Sequence, residues 1–192
     1  MGPGTPRGKV AALSPRANPW SVRVRRARGG RSGHNVPVPP RTFSVAFEVR
    51  FPEVDSYGVV WHGHYVQYFE VARNALCAAF GLTPADALAH GYKVPITKVS
   101  MDLKRPARLD DRLVVSARLA PPETAKLAMS YEVRREATGE LLATGSTEQV
   151  FLSPSGELLL TFPAAVRTLV ERVLTFQRGE AEPDPSKILP VR

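Results

Sequence analysis

At 192 residues, with 43% hydrophobic and 23% charged side chains, the chain is long enough to bury a sizeable core in one domain flanked by tails. The formal net charge is +8, yet residues 1–40 hold eight Lys or Arg and no Asp or Glu, so the other 152 residues balance at 18 basic against 18 acidic. The basicity belongs to the leading segment and says nothing of the folded part's partners. A single cysteine, Cys77, excludes an intrachain disulfide and a Cys-rich zinc site, and no apolar run approaches the roughly 20 residues of a membrane span.

Residues 1–40 also carry seven Pro and six Gly, which reads as a disordered basic extension with little to bury. A plain solvated tail, an Arg-rich transit peptide and a nucleic-acid arm through Arg23 to Arg31 compete for it. Pro and Gly would break the amphipathic helix of a transit peptide. Charge alone gives only nonspecific, salt-sensitive attraction to nucleic acid, and Trp20 is the one nearby ring to stack a base, so no nucleic-acid partner is expected. No apolar core of a secretory signal precedes the domain, and the reduced, disulfide-free composition fits the cytoplasm.

From Arg41 to Phe51 the residues alternate strictly, with Phe43, Val45, Phe47, Val49 and Phe51 on one side: a half-buried strand ended by Pro52. A D-x-x-G turn follows, Asp55 to Gly58, a short acceptor and then a residue free to adopt positive φ. After Trp61 the period changes. Tyr65, Tyr68, Phe69, Ala72, Leu76, Ala79 and Phe80 recur at three- and four-residue steps, which predicts a long helix starting near His62 or Gly63 and closed by Gly81. Its first unpaired N–H groups point back toward the Asp55 loop. A carboxylate there can attack or deprotonate water while the N–H groups hold a developing oxyanion. Thr83-Pro84 opens a short helix to about Ala89. Four further strands are expected at 93–104, 111–120, 126–136 and 141–152, joined by short turns and hence antiparallel. Residues 157–161 add a short edge segment, Pro163 starts a last helix to Phe176, and residues 177–192 read as a loose tail. The domain therefore spans residues 41–176 and is α+β: about five antiparallel strands and one long helix that must bury a face on them.

The run D-x-x-G-V-V-W-H-x-x-Y (55–65), continued by Y-F-E-x-A-R (68–73), resembles the signature of the 4-hydroxybenzoyl-CoA thioesterase family, and most closely its Tol–Pal-cluster branch. Residues 103–111, LKRPARLDD, are a second similar stretch, and the likeness runs from about Phe43 to Val173. The resemblance implies the hot-dog fold, an antiparallel sheet wrapped around one long central helix, and hydrolysis of an acyl-CoA to free acid and coenzyme A. It implies Asp55 as the catalytic carboxylate, the His62 N–H in the oxyanion hole, and a homodimer or homotetramer with the site at a subunit interface. No cofactor is implied. His64 departs from the pattern, an amide side chain being commoner there.

Each assignment has a plainer rival. The plainer role for Asp55 is to cap a turn; Glu70, two turns into the helix, is a competing carboxylate whose bland role is a pair with Arg73 or Asn74. His62 and His64 diverge by roughly 200° at a helix start and lack a third ligand pattern, so no metal is expected. Tyr57, Gly58, Val59, Trp61 and Tyr65 are core or acyl-pocket residues, with Tyr57 and Val59 nearest the acid. Lys104 and Arg105, with Lys98 and Arg108, offer charge for the phosphates of coenzyme A or are solvated strand ends. Two other functions stay open: an acyl-thioester hydratase or dehydratase using a His, and a non-catalytic acyl-thioester or nucleic-acid binding module.

Overall fold

The computed structural model describes residues 21–25 and 40–184. In chain order the elements are β1 (Ser21–Arg25), β2 (Thr42–Glu48), a 3-10 turn (Phe51–Glu53), α1 (His62–Ala79), α2 (Pro84–Ala89), β3 (Ile96–Leu103), β4 (Arg112–Leu119), β5 (Leu127–Arg135), β6 (Leu141–Gln149) and α3 (Ala164–Arg178). The strands form one sheet in the order β1-β2-β4-β5-β6-β3, antiparallel throughout. The five domain strands and the long helix expected from the sequence are present.

α1 forms because its apolar residues fall on one stripe. Tyr65, Tyr68, Phe69, Ala72, Leu76 and Ala79 are all buried, and the helix lies on β2 and β4. Phe47 meets Tyr68 at 4.8 Å between ring centroids, and Phe69 stacks on Tyr131 at 4.7 Å and 13°. Each such side chain contributes roughly 1.5–3 kcal/mol by leaving water. Gly145 of β6 makes the close approach of Phe69 possible: a Cβ there would run into the Phe69 ring and stand 2.9 Å from the Ser100 carbonyl oxygen. Past Phe80, Gly81 at φ 94° turns the chain away. α2 opens as its sequence predicts, with the Asp86 N–H donating to Thr83 Oγ1 at 3.1 Å and the Thr83 N–H to Asp86 Oδ2 at 2.7 Å. α3 buries Val166, Leu169, Val170, Val173 and Phe176. Its Gln177 side chain clips the end of β4, accepting from the Leu119 N–H at 2.8 Å and donating to the Leu119 carbonyl at 2.9 Å.

Several expectations change. The alternation of residues 41–51 does not continue to Phe51, which sits in the 3-10 turn and is 78% exposed. Pro52 cannot donate to a ladder and fits the first turn of a helix instead. β2 is buried on both faces, Ser44 and Ala46 included, and Ser44 tolerates this because its hydroxyl bonds the Ser116 hydroxyl at 2.8 Å. Residues 157–161 form no strand, only a single bridge from Leu158 to Leu152. Five residues assigned to the extension, Ser21–Arg25, pair with β2 from Ser21 opposite Ala46 to Arg25 opposite Thr42. The remaining residues before 40, and those after 184, lie outside the described residues.

Candidate active site

The stretch 49–61 is a compact loop braced from below by Glu53. That carboxylate is 2% exposed and accepts from the Arg50 N–H at 2.9 Å, Arg50 Nε at 2.8 Å and the Tyr68 hydroxyl at 2.9 Å. Its carbonyl receives the Trp61 N–H at 2.9 Å. Burial first, and then the neighbouring Glu53 charge, push the Tyr68 phenol well above its usual range, so Tyr68 stays a donor. Sequence reasoning missed Glu53. The only signal was an acid three residues after Arg50, and its buried partner Tyr68 is fifteen residues away.

On this base sits the D-x-x-G turn. The Asp55 N–H donates to the Val59 carbonyl at 2.9 Å, the Gly58 N–H to the Asp55 carbonyl at 3.0 Å, and the Tyr57 N–H to Asp55 Oδ1 at 2.8 Å. Gly58 has φ 71°, the left-handed conformation a side chain would resist. Asp55 is half-buried, so its carboxylate is held by the turn and still reaches solvent. Val54 and Val60 pair across the neck of the loop.

α1 begins at His62, seven residues after Asp55. The His64 N–H already donates to the Trp61 carbonyl at 2.9 Å, whereas no hydrogen bond among the described residues uses the His62 N–H. The Trp61 indole folds back over the helix start, 4.9 Å from the His62 ring and 5.7 Å from the His64 ring. Gly63 permits this, because a Cβ there would collide with the indole. His64 Nδ1 bonds Gln67 Oε1 at 2.7 Å. Among the described residues no group of three or more His, Cys, Asp or Glu is placed to hold a metal ion.

The second stretch of the signature is stitched to the first. The Val60 N–H donates to the Ala107 carbonyl at 2.9 Å, and the Ala107 N–H reaches the Tyr65 hydroxyl at 3.3 Å. Asp111 holds the turn by accepting from the Arg108 N–H at 2.8 Å and pairing with Arg135. Lys104 and Arg105, three and two residues before Ala107, are exposed, with Asp102 at 3.6 Å from Lys104 and Glu140 at 3.8 Å from Arg105. Of the two roles open to Tyr65, core and pocket wall, the structure places it in the core. Tyr57 is 87% exposed, Trp61 and Gly58 are exposed, and Val59 is half-buried. Glu70 pairs with Arg73 Nη2 at 2.5 Å and accepts from Asn74 Nδ2 at 3.1 Å, the plain role expected of it. Burial lifts the Cys77 thiol to about 11, which leaves it protonated and inert near neutrality.

An antiparallel sheet packed on one long helix is the hot-dog architecture of thioester hydrolases. Residues 49–170 match the family model described as the Thioesterase-like superfamily, and the chain belongs to that superfamily. Among its relatives is a putative esterase of Synechocystis, 26% identical over 131 residues, covering 68% of this chain and 79% of the relative. A putative acyl-CoA thioesterase of Bacillus subtilis is 27% identical over 103 residues, covering 54% and 74%. The DHNA-CoA thioesterase structure from Staphylococcus aureus superposes with a TM-score of 0.64 at 25% identity, covering 72% of this chain and 95% of that one. No helix among the described residues is long and apolar enough to cross a membrane.

Proposed function

We propose that the protein hydrolyses an acyl-CoA to the free acid and coenzyme A, that Asp55 is the catalytic carboxylate, and that the His62 N–H donates to the thioester oxyanion. The observation that carries this reading is that the braced loop bearing the Asp55 turn runs directly into the start of α1, seven residues on. That turn is fixed on one side by Glu53 and on the other by Ala107, while the His62 N–H has no bond among the described residues. A thioester carbonyl placed there would meet the Asp55 carboxyl group, as base or nucleophile, and a backbone donor whose bond strengthens as charge develops. A thioester is electrophilic enough that no Ser–His–Asp triad is needed. The pairing of Glu70 with Arg73 and Asn74 supports Asp55 over the helix carboxylate, and with it the 4-hydroxybenzoyl-CoA, Tol–Pal-like branch.

The functional unit on this reading is residues 41–176, cytoplasmic, assembled as a homodimer or homotetramer. β3 is an outer strand of the sheet, with Val99 and Leu103 exposed along it, and Phe51, Tyr57 and Trp61 are exposed around the site. A second copy would cover this edge and these rings. Lys104 and Arg105 would then meet the phosphates of coenzyme A at the cleft rim.

Thiol release from a panel of acyl-CoA esters tests the proposal. Asp55→Asn keeps the turn hydrogen bonds and should lower kcat by about a hundredfold or more with the fold intact. A variant with parental turnover would show that Asp55 is not the catalytic carboxylate.

A further inference from the structure

The loop 49–61 is held at both ends by one neighbour, the turn 106–111 that precedes β4. At its entry the Val49 N–H donates to the Asp111 carbonyl at 2.9 Å, and the Val49 carbonyl receives the Asp110 N–H at 3.3 Å. At its exit the Val60 N–H donates to the carbonyl of Ala107, a fully buried residue. Val60 follows Val59, whose carbonyl receives the Asp55 N–H, and stands two residues before His62. The Ala107 carbonyl therefore fixes the short stretch of chain between the Asp55 turn and the first N–H of α1.

The turn 106–111 is itself under constraint. Asp110 has φ 64°, the one non-glycine residue in the left-handed region among the described residues. Such a conformation persists only where its surroundings impose it. α1 holds the middle of the turn, through the Tyr65 hydroxyl at the Ala107 N–H, and β5 holds its ends. The Arg135 guanidinium spans the mouth: Nη2 donates to the Pro106 carbonyl at 3.1 Å, and Nη1 pairs with the Asp111 carboxylate. Its Nε turns to Glu140 Oε2 at 3.4 Å. A guanidinium presents these donors in one rigid plane, which an ammonium cannot copy.

We infer that Arg135 is a positioning residue for the Asp55 site: by closing the 106–111 turn it sets the spacing between the Asp55 carboxylate and the His62 N–H. The inference rests on the thioesterase reading, because it needs those two groups to act on one carbonyl. Arg135 works through Pro106, Ala107 and Asp111, on a loop whose two ends they hold. A small error in the placement of reacting groups costs rate more than binding, so the effect falls on kcat rather than KM.

The test measures thiol release from the acyl-CoA that the parent hydrolyses fastest, with each variant held well below its Tm. Arg135→Met should lower kcat by about tenfold and leave KM within about twofold of the parental value. Arg135→Lys keeps a charge opposite Asp111 without the fork and should recover part of that loss. Arg134 is the neighbouring arginine, bonded to Glu132 and the Gly139 carbonyl, and Arg134→Met should keep both constants. The deciding readout is a double-mutant cycle. In an Asp55→Asn background Arg135→Met should cost less than about twofold, because the group it positions has been removed. If Arg135→Met does not fold, Arg135→Lys takes its place in the cycle. A kcat loss of about threefold that vanishes in Asp55→Asn then supports the inference. A parental kcat in the Arg135 variant, whatever its Tm, or an equal loss in both backgrounds overturns the inference and leaves the thioesterase reading standing. A parent that releases no thiol, or an Asp55→Asn enzyme as fast as the parent, overturns that reading and the positioning role with it.

Discussion

The Tyr68 hydroxyl donates to Glu53 Oε2 at 2.9 Å, so a buried helix side chain holds the floor of the loop that presents Asp55. The bond joins the second turn of α1 to the 3-10 turn and couples loop geometry to the core. Tyr68→Phe removes one donor and leaves a carboxylate oxygen underbonded in the interior. It should cost about 1–3 kcal/mol in denaturant unfolding, with an unchanged m-value. Because the loop is also held by Ala107, the loss of activity should be smaller than the effect of Asp55→Asn. A stability equal to the parent's would show that the bond contributes nothing net.

Glu70→Gln separates the two carboxylates. The Arg73 guanidinium is buried and loses its charged partner, so the variant should melt lower than the parent. Its kcat on a short acyl-CoA should stay within about tenfold of parental, against the hundredfold loss at Asp55. If Glu70→Gln is the inactive enzyme, the chemistry belongs to the helix carboxylate.

How far such assignments were legible depends on the range of the contacts involved. The 3.6-residue period of α1 and the Thr83 capping box are local signals, and both elements appear where the residues put them. The D-x-x-G turn is likewise written in four consecutive positions. Glu53, by contrast, gains its role from Tyr68, and a cavity lined by Tyr92, Leu82 and Phe151 gathers further walls from α1, α2, β5, β6 and α3. Strand partners are nonlocal as well: β3 pairs with β6 rather than with β4, its neighbour in sequence. Phe51 misleads because its alternation continues through a position that Pro52 has already taken out of the strand.

Stability should fall at high pH. Burial raises the Cys77 thiol from 9.0 to about 11 and the Tyr131 phenol from 10.0 to about 12, and it raises Tyr65 and Tyr68 as well. In each case the folded state holds its proton above the pH at which the unfolded chain releases it. This contribution is fully present below the unfolded values and is lost as pH rises through the folded ones. Tm should therefore be insensitive to these groups up to about pH 9 and decline beyond it. Cys77→Ala should remove the earliest part of the decline; an unchanged alkaline profile would rule the thiol out.

Deleting the extension in two steps separates its charge from its strand. Removal of residues 1–18 takes away basic residues and leaves β1, so Tm should hold while retention on a cation exchanger drops. Removal of residues 1–40 also strips β1 from β2 and exposes a row of backbone donors and acceptors. That protein should melt several degrees lower or self-associate, as read by calorimetry and light scattering. Equal behaviour of the two truncations would mean that β1 adds nothing to the domain.

The two outer strands of the sheet are unlike. β3 is eight residues long with Val99 and Leu103 exposed, whereas β1 is five residues, Ser-Val-Arg-Val-Arg, and carries two positive charges. Two copies joined through β3 would leave β1 as the remaining outer strand among the described residues. Such pairing would be isologous: the β3 margin of one copy meets the β3 margin of the other, and both are used up in the one contact.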